Sequence, residues 1–231
     1  DINVLDTWFS SALWPFASLG WPKKTYNFKR FYKTSVLVTG FDILFFWVAR
    51  MILMTEYVLG DIPFKDVYLH GTVRDNKGQK MSKSLGNGID PLDIAAKYGA
   101  DAGRMALILG TAPGTDSKIS EDKIKGQKHF ANKLWNITRF VLSHYEPSPD
   151  VVFTETDQTL LNEWQALADT VARDIDGYRL HLAAENVYQY IWTTFADKII
   201  EESKPILFGE DMMKKTSRQQ LLYRILVGNL K

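Results

Sequence analysis

The chain has 231 residues, of which 45% are hydrophobic and 24% charged, and its formal net charge is +1. These values exclude disordered and collagen-like chains, and the small net charge gives no bulk electrostatic reason to bind nucleic acid. The lack of cysteine excludes disulfides, thiolate zinc sites and cysteine nucleophiles, and it favours a reducing compartment. Because residue 1 is Asp and no basic-then-apolar leader follows, we expect a piece of a longer protein.

The first part of the chain predicts an α/β fold. The first thirty-odd residues indicate irregular loop and short helix. Residues 35–40 are a continuous run rich in β-branched residues, typical of a strand buried on both faces of a parallel sheet, and residues 43–54 predict a buried helix after Asp42. The uninterrupted apolar core of that helix is far shorter than the roughly 20 residues that cross a membrane. A second strand is predicted over residues 67–73.

After Gly88 the pattern is helical. Asp90 and Pro91 predict the N-cap and first residue of a short helix, and Ser120 begins a long amphipathic one. The other predicted helices cover residues 100–110, 157–178, 183–203 (ended by Pro205) and 216–229. We therefore predict an α/β region at 1–115 followed by an all-α region at 116–231.

The segment 75–87 carries the most specific chemistry. Gly78 and Gly86 flank Lys80 and Lys83, and serines lie between the two lysines. Lysine is a mobile point charge that can follow phosphate charge as it develops, while glycine and serine let the backbone approach and donate. The segment suits a polyphosphate, although a solvated hairpin tip is the alternative, and it is not a Walker loop.

Residues 80–84, Lys-Met-Ser-Lys-Ser, are identical to the KMSKS signature of class I aminoacyl-tRNA synthetases. Residues 1–22, 39–51 and 130–136 are similar to segments of the valine-specific members of that family. The resemblance implies the C-terminal half of a Rossmann-type catalytic domain followed by part of an α-helical anticodon-binding bundle.

The resemblance also implies residue roles. Lys80 and Lys83 would be catalytic, stabilising the triphosphate and the leaving pyrophosphate. The remaining roles are ATP binding for Gly40, Asp42, His70, Gly71, Val73, Met81 and Ser82, and an amino-acid pocket walled by Trp8 and Trp47.

Several of these residues have structural alternatives. Asp42 is also suited to cap a helix, Trp47 to pack in a core, and His70 to be a hydrogen-bonded structural histidine. Trp8 is less ambiguous because it lies in a segment expected to be irregular.

The implied activity of the family is the activation of valine with ATP, with Mg²⁺ arriving as part of the substrate, and transfer of the valyl group to tRNA(Val). No protein-bound metal is expected, because the four histidines have no metal-ligand spacing. The family's His-x-Gly-His motif is absent, and the editing domain is expected to lie outside the chain, so the isolated chain is predicted to be inactive. A non-catalytic tRNA-binding or assembly module is the alternative. We expect a cytoplasmic monomer with no membrane partner.

The helical half offers weaker candidates. A charged outer face and packed aromatic residues are the default explanation for each of them. The candidates for tRNA contact are Lys123, Lys125, Lys128, Lys133, Arg139, Trp164, Tyr188, Tyr190 and Trp192. Gly103 departs from the family, which usually has a larger aliphatic residue there, and mid-helix glycine is expected to loosen the packing behind the lysine loop.

Overall fold

The computed structural model of the chain describes residues 3–82 and 84–231. The described residues fall into two compact units. Unit 1 comprises those of Asp1–Thr72 together with Pro113–Ser117, and unit 2 comprises those of Val73–Ala112 together with Lys118–Lys231. Unit 1 is therefore discontinuous in sequence.

Unit 1 contains a parallel strand pair and three helices. Its elements are α1 (Thr7–Ala17), α2 (Tyr26–Phe31), β1 (Thr34–Gly40), α3 (Ala49–Leu59) and β2 (Phe64–His70). The first thirty-odd residues, predicted to be irregular loop and short helix, contain two helices, of which α1 has 11 residues and is capped by the Asp6 side chain. Trp8 consequently lies in the first turn of a helix.

Strands β1 and β2 pair in parallel from Thr34 opposite Phe64 to Gly40 opposite His70. The prediction that both faces of β1 are buried was wrong, since burial alternates: Leu37 and Thr39 are buried, whereas Val38 is 59% exposed. The reason is that the apolar cluster of unit 1 lies on one face of the strand, where Leu37 contributes to it.

The predicted helix at 43–54 begins as a 3-10 turn (Phe41–Ile43), continues through a π-helical segment (Leu44–Val48) and becomes regular in α3. It is not buried all round. Val48, Met51 and Thr55, spaced three and four apart, form its buried face, while the side chains of Phe45 and Phe46 are exposed.

The second predicted strand was placed three residues late. Strand β2 ends at His70, because Gly71 and Thr72 contact residues 115 and 116 instead of continuing the ladder with β1. Val73 lies in a separate short strand, β3 (Val73–Arg74), and β4 is Ser117–Lys118.

Unit 2 begins with the lysine segment and two short helices. These are α4 (Pro91–Tyr98), which begins with the predicted Asp90 cap and Pro91, and α5 (Ala100–Ile108). A small apolar cluster holds them together with β3 and the start of the next helix, and its buried members are Tyr98, Ala102, Ala106, Ile119 and Ile124.

The rest of unit 2 is a helical bundle. Its helices are α6 (Glu121–His144), α7 (Glu155–Asp176), α8 (Leu180–Gln189), α9 (Glu201–Leu207) and α10 (Met212–Leu230), with a π-helical segment (Tyr190–Ile200) joining α8 to α9. Ser120 caps α6 as predicted, and Phe130, Ile137 and Val141 face the core. The sequence predicted that Pro205 would end a helix at about residue 203. Pro205 instead lies inside α9.

The two compact units are defined by contacts within the chain, and their limits do not coincide with the predicted domain boundary at residue 115. The division into an α/β region at 1–115 and an all-α region at 116–231 follows sequence character and stays a prediction. The described structure nevertheless has the predicted composition of a small parallel sheet with helices followed by a helical bundle.

Candidate nucleotide and aminoacyl site

The carboxylate of Asp75 organises the segment that carries the lysine signature. Its Oδ1 accepts hydrogen bonds from the backbone N–H groups of Lys77 (2.9 Å) and Gln79 (2.8 Å). The N–H of Gly78 donates to the Asp75 carbonyl at 2.9 Å. This local turn is typical of Asp, whose short side chain bonds its own following backbone. Gly78 has a φ of +78°, which a residue without Cβ adopts without strain.

Asn87 joins the two ends of the same segment. Its Nδ2 donates to Asp75 Oδ2 at 3.0 Å and to the carbonyl of Lys80 at 3.3 Å. Its Oδ1 accepts the N–H of Ser82 at 2.9 Å. Hydrogen bonds from Asn87, followed by those of Lys77 and Gln79, hold the pKa of the Asp75 carboxyl below its ordinary value. We refer to these contacts of Asp75 and Asn87 as the loop clamp.

The signature residues differ in their surroundings. Lys80 is exposed and its backbone forms an antiparallel bridge with Arg74, whose Nη1 donates to the carbonyl of Gly78 at 3.0 Å. The Ser82 hydroxyl bonds with the Ser84 hydroxyl at 3.1 Å. Lys83, predicted to be catalytic and ATP-binding, lies outside the described residues.

Met81 anchors the signature to the interior of unit 2. Its N–H donates to the carbonyl of Val73 at 3.2 Å, and both side chains pack against the apolar cluster around Ala102. Met81 and Ser82 line a cavity of about 560 Å³ whose wall also includes Gly103. A Cβ at Gly103 would lie 2.8 Å from Ile94 Cγ2, so glycine here permits close packing of α4 on α5, and the expectation that it loosens the packing was wrong.

Gly40, Asp42 and His70 meet at the end of the strand pair in unit 1. A Cβ at Gly40 would lie 2.6 Å from Asp42 Oδ1 and 3.6 Å from His70 Cε1. The absence of a side chain at residue 40 thus leaves the space that the Asp42 carboxylate occupies. Gly40 is the N-cap residue of the 3-10 turn and Asp42 lies inside the turn, so Asp42 does not have the N-cap position given as its alternative role.

His70 and Gly71 have local structural partners. His70 Nδ1 is 2.9 Å from the carbonyl oxygen of Gly71. A Cβ at Gly71 would lie 1.9 Å from the carbonyl oxygen of Thr115, and the N–H of Thr72 donates to Asp116 Oδ1 at 2.7 Å. Glycine is therefore required at residue 71 because two backbone segments approach closely there, and this requirement is independent of any contact with ATP.

The two tryptophans of the predicted amino-acid pocket belong to different aromatic pairs. Trp8 lies 6.4 Å from Phe46 between ring centroids, with the Arg50 guanidinium 5.1 Å from its ring. Trp8 and Arg50 line a cavity of about 500 Å³ in unit 1. Trp47 lies 6.4 Å from Trp14 and packs on the apolar cluster of unit 1, which agrees with its structural alternative.

The weaker candidates in the helical half are mostly packed or paired. Lys133 bonds Asp197 at 2.7 Å and lies 4.5 Å from the ring of Trp192. Trp192 and Tyr188 pack against Phe130, and Trp164 donates to Asn229 Oδ1 at 3.3 Å. Burial raises the pKa of the Tyr190 hydroxyl. Burial lowers the pKa of Lys123.

Sequence reasoning did not assign roles to Asp75, Asn87, Asp116 or Arg50. The turn-forming tendency of Asp and Asn beside glycine is a signal for the first two. Across residues 3–82 and 84–231, no group of three or more His, Asp or Glu is arranged to hold a metal ion. In the same part of the chain, no helix is both long and apolar enough to span a membrane.

Two family descriptions match the sequence. Residues 1–120 match "tRNA synthetases class I (I, L, M and V)", and residues 157–231 match "Anticodon-binding domain of tRNA ligase". Together they cover both the strand pair with its lysine segment and the C-terminal helices.

The curated relatives include valine–tRNA ligases. The enzyme of Clostridium acetobutylicum is 46% identical over 100% of this chain, which corresponds to 27% of the relative. That of Bacillus thuringiensis subsp. konkukian is 49% identical over 96% of this chain and 26% of its own length. The chain thus spans about a quarter of the length of the curated relatives it matches.

Solved structures of similar fold are also synthetases. The LeuRS of Agrobacterium radiobacter K84, in a ternary complex with tRNA and LeuAMS, has a TM-score of 0.78 at 19% identity, covering 99% of this chain and 30% of its own. The Mycobacterium tuberculosis methionyl-tRNA synthetase, in complex with methionyl-adenylate, has a TM-score of 0.76 at 25% identity, covering 92% and 44%. With a matching family over more than half of its residues and the KMSKS sequence in place, this chain belongs to the class I tRNA synthetases of the I, L, M and V group.

Proposed function

We propose that this chain is part of a valine–tRNA ligase. In the proposed reaction the carboxylate of valine attacks the α-phosphate of ATP, the bond to the β-phosphate breaks, and valyl-adenylate and pyrophosphate form. The valyl group is then transferred to the terminal adenosine of tRNA(Val), releasing AMP. The observation that carries the proposal is an identity of 46–49% to valine–tRNA ligases along essentially the whole chain.

The residue roles proposed for this chemistry are those that the family resemblance implies. In the proposal, Lys80 and Lys83 stabilise the triphosphate and the departing pyrophosphate, a reaction that depends mainly on positioning and charge. Asp42 accepts hydrogen bonds from the ribose hydroxyls beside the small residue Gly40. The backbone groups of His70, Gly71 and Val73 are proposed to contact adenine, and Met81 and Ser82 are also proposed to bind ATP. Mg²⁺ arrives with ATP as substrate.

The two tryptophans of the proposed amino-acid pocket have different surroundings. Trp8 lines a cavity large enough for an aliphatic side chain, beside Phe9 and Leu53. Trp47 packs against the apolar cluster of unit 1 and does not line that cavity, so core packing supports its structural alternative more directly.

The test is valine-dependent exchange of pyrophosphate into ATP by the complete protein that contains this chain. We expect exchange with valine and much weaker exchange with leucine. The variant Lys83→Ala should lose exchange with little change in tRNA affinity, whereas Lys77→Ala, an exposed lysine in the same segment, should keep both. Normal exchange by Lys83→Ala would contradict the role of that lysine, and a complete protein that binds tRNA(Val) without any exchange would favour the tRNA-binding or assembly module.

The proposed partners are valine, ATP and tRNA(Val), and the proposed state is a cytoplasmic monomer. The absence of cysteine agrees with a reducing compartment. Gel filtration with light scattering on the complete protein tests the monomer, since a mass twice that of one chain would contradict it.

A further inference from the structure

We propose that Asn87, held by Asp75, is a positioning residue that fixes the backbone of the lysine signature for adenylate formation. The inference rests on the proposed function, because its effect is on the rate of the proposed reaction. Asn87 would not touch the substrate. It would act through the backbone on either side of Met81.

The geometry places one amide side chain on both sides of a single signature residue. The Asn87 amide donates to the carbonyl of Lys80 and accepts the N–H of Ser82. These two groups flank Met81, whose own N–H is bonded to Val73. Three successive residues of the signature therefore have a fixed backbone hydrogen bond, immediately before Lys83.

The hydrogen bond between Asp75 and Asn87 joins the two ends of the segment. The Asp75 carboxylate accepts Asn87 Nδ2 across 12 residues of chain, while its other oxygen holds the turn at Lys77 and Gln79. Without this bond the segment would retain the local turn but lose the direct hydrogen bond between its two ends. A loop that contains glycines at 78 and 86 has many other conformations available, so closing it reduces the entropy that must be lost when ATP binds.

The loop clamp makes little contribution to the interior. Asp75 and Asn87 are half-buried, and neither belongs to the apolar cluster that Val73 and Met81 pack against. Changing them should therefore leave the unit folded. The expected effect is on the position of the lysines, where a displacement of about 1 Å can reduce a rate by about a hundredfold.

The test uses charge and donor swaps in the complete protein. Asn87→Asp removes the donor and sets a second carboxylate against Asp75, and Asp75→Asn sets two amides against each other. The double variant restores a donor at position 75 and an acceptor at position 87. Asn76→Asp is the matched control, because it adds the same charge at an exposed residue of the same segment that is not part of the loop clamp.

We expect Asn87→Asp to lower kcat for valine-dependent exchange by about tenfold or more, with an unchanged KM for valine. The double variant should exceed Asn87→Asp, because a bond between positions 75 and 87 is restored, but it should stay below the parent, because a carboxylate at position 87 cannot donate to the Lys80 carbonyl. Asn76→Asp should match the parent. The size of the adenylate burst, which counts folded active sites, should stay constant while its rate falls.

The possible results separate the two proposals. A parent protein without valine-dependent exchange rejects the proposed function and this inference with it. An active parent whose Asn87→Asp variant has an unchanged kcat rejects the positioning role alone. A loss of burst size without a change in burst rate, or a double variant no better than Asn87→Asp, also rejects it, because either result means a purely structural role.

Discussion

The guanidinium of Arg218 and the carboxylate of Asp157 form an ion pair inside unit 2, with Nε and Nη2 of the arginine each 2.7 Å from Oδ1. Their side chains are only 4% and 2% exposed. Ser217 donates to the other carboxylate oxygen, and Arg218 Nη1 donates to the Ser203 hydroxyl at 3.1 Å. The network joins α7, α9 and α10, and each charged group in it has hydrogen-bond partners.

Removing one member of this pair should destabilise unit 2 strongly. Arg218→Met leaves the Asp157 carboxylate buried without its cation, which typically costs about 3–5 kcal/mol. The measurement is the free energy of unfolding from urea denaturation followed by circular dichroism. Lys204→Met is the control, because its partner Glu201 is exposed and such pairs contribute about 0–1 kcal/mol. Equal losses in the two variants would contradict the role of the buried pair.

Gly228 is required by the ring of Trp164. A Cβ at residue 228 would lie 2.1 Å from Trp164 Cζ2, so Gly228→Ala should destabilise the bundle by about 1–3 kcal/mol through overpacking. Gly126→Ala in α6 is the matched control, since a Cβ there meets nothing within 4 Å. That control should gain about 0.5–1 kcal/mol from helix propensity. Opposite signs in thermal denaturation are the expected result, and a gain at both positions would rule out the clash.

A side chain at Gly40 should weaken ATP binding in the complete protein. Gly40→Ala forces the Asp42 carboxylate to move, and loss of a hydrogen bond to a charged group corresponds to about a tenfold rise in KM for ATP. Gly88→Ala, where a Cβ would lie in open space, should leave that KM unchanged. An unaltered KM in Gly40→Ala, measured by pyrophosphate exchange, would speak against a ribose contact by Asp42.

The pKa of Asp75 reports on the loop clamp. It lies below the ordinary value of 3.8, chiefly because Asn87 donates to the carboxylate. A lowered pKa means that the ionised carboxylate stabilises the folded loop above pH 3.8, and that this contribution is lost as the pH falls through the lowered pKa. A carbon NMR titration should find the Asp75 midpoint below 3.8 in the parent chain and nearer to it in Asn87→Ala. Identical midpoints would show that Asn87 does not set this pKa.

The isolated 231-residue chain should not form valyl-adenylate. It contains KMSKS but no His-x-Gly-His sequence, and the family uses both motifs. Pyrophosphate exchange with valine should remain at the level of a blank without protein, while the complete protein provides the positive control. Valine-dependent exchange by the chain alone would overturn this prediction.

Local signals in the sequence predicted the caps and faces of several elements correctly. Asp90 and Ser120 each cap a helix by accepting a hydrogen bond from a backbone N–H group two or three residues away. Their effect can therefore be predicted from a few neighbouring residues. The core face of α6 also follows directly from a spacing of three and four. The KMSKS resemblance led to the family that the comparisons then showed.

Features that depend on distant residues could not be predicted in this way. The end of β2 at His70 depends on the contact of Gly71 with Thr115, which no local pattern contains. The continuation of α9 past Pro205 depends on the packing of Leu207 in the core, which outweighs the loss of the hydrogen bond that proline cannot donate. Asn87 was visible as a loop residue, but its pairing with Asp75 requires the folded turn between them.

The close approach of Gly71 to Thr115 affects how the chain folds during synthesis. Unit 1 includes Pro113–Ser117, and the bond from Thr72 to Asp116 spans 44 residues. The ribosome therefore makes β3, α4 and α5 before it makes the segment that completes unit 1. Closing this interval costs chain entropy that grows only slowly with its length, and early formation of α4 and α5 shortens the effective loop. We expect nascent chains that stop before residue 113 to leave Gly71 and Thr72 sensitive to protease, and chains released beyond residue 117 to protect them.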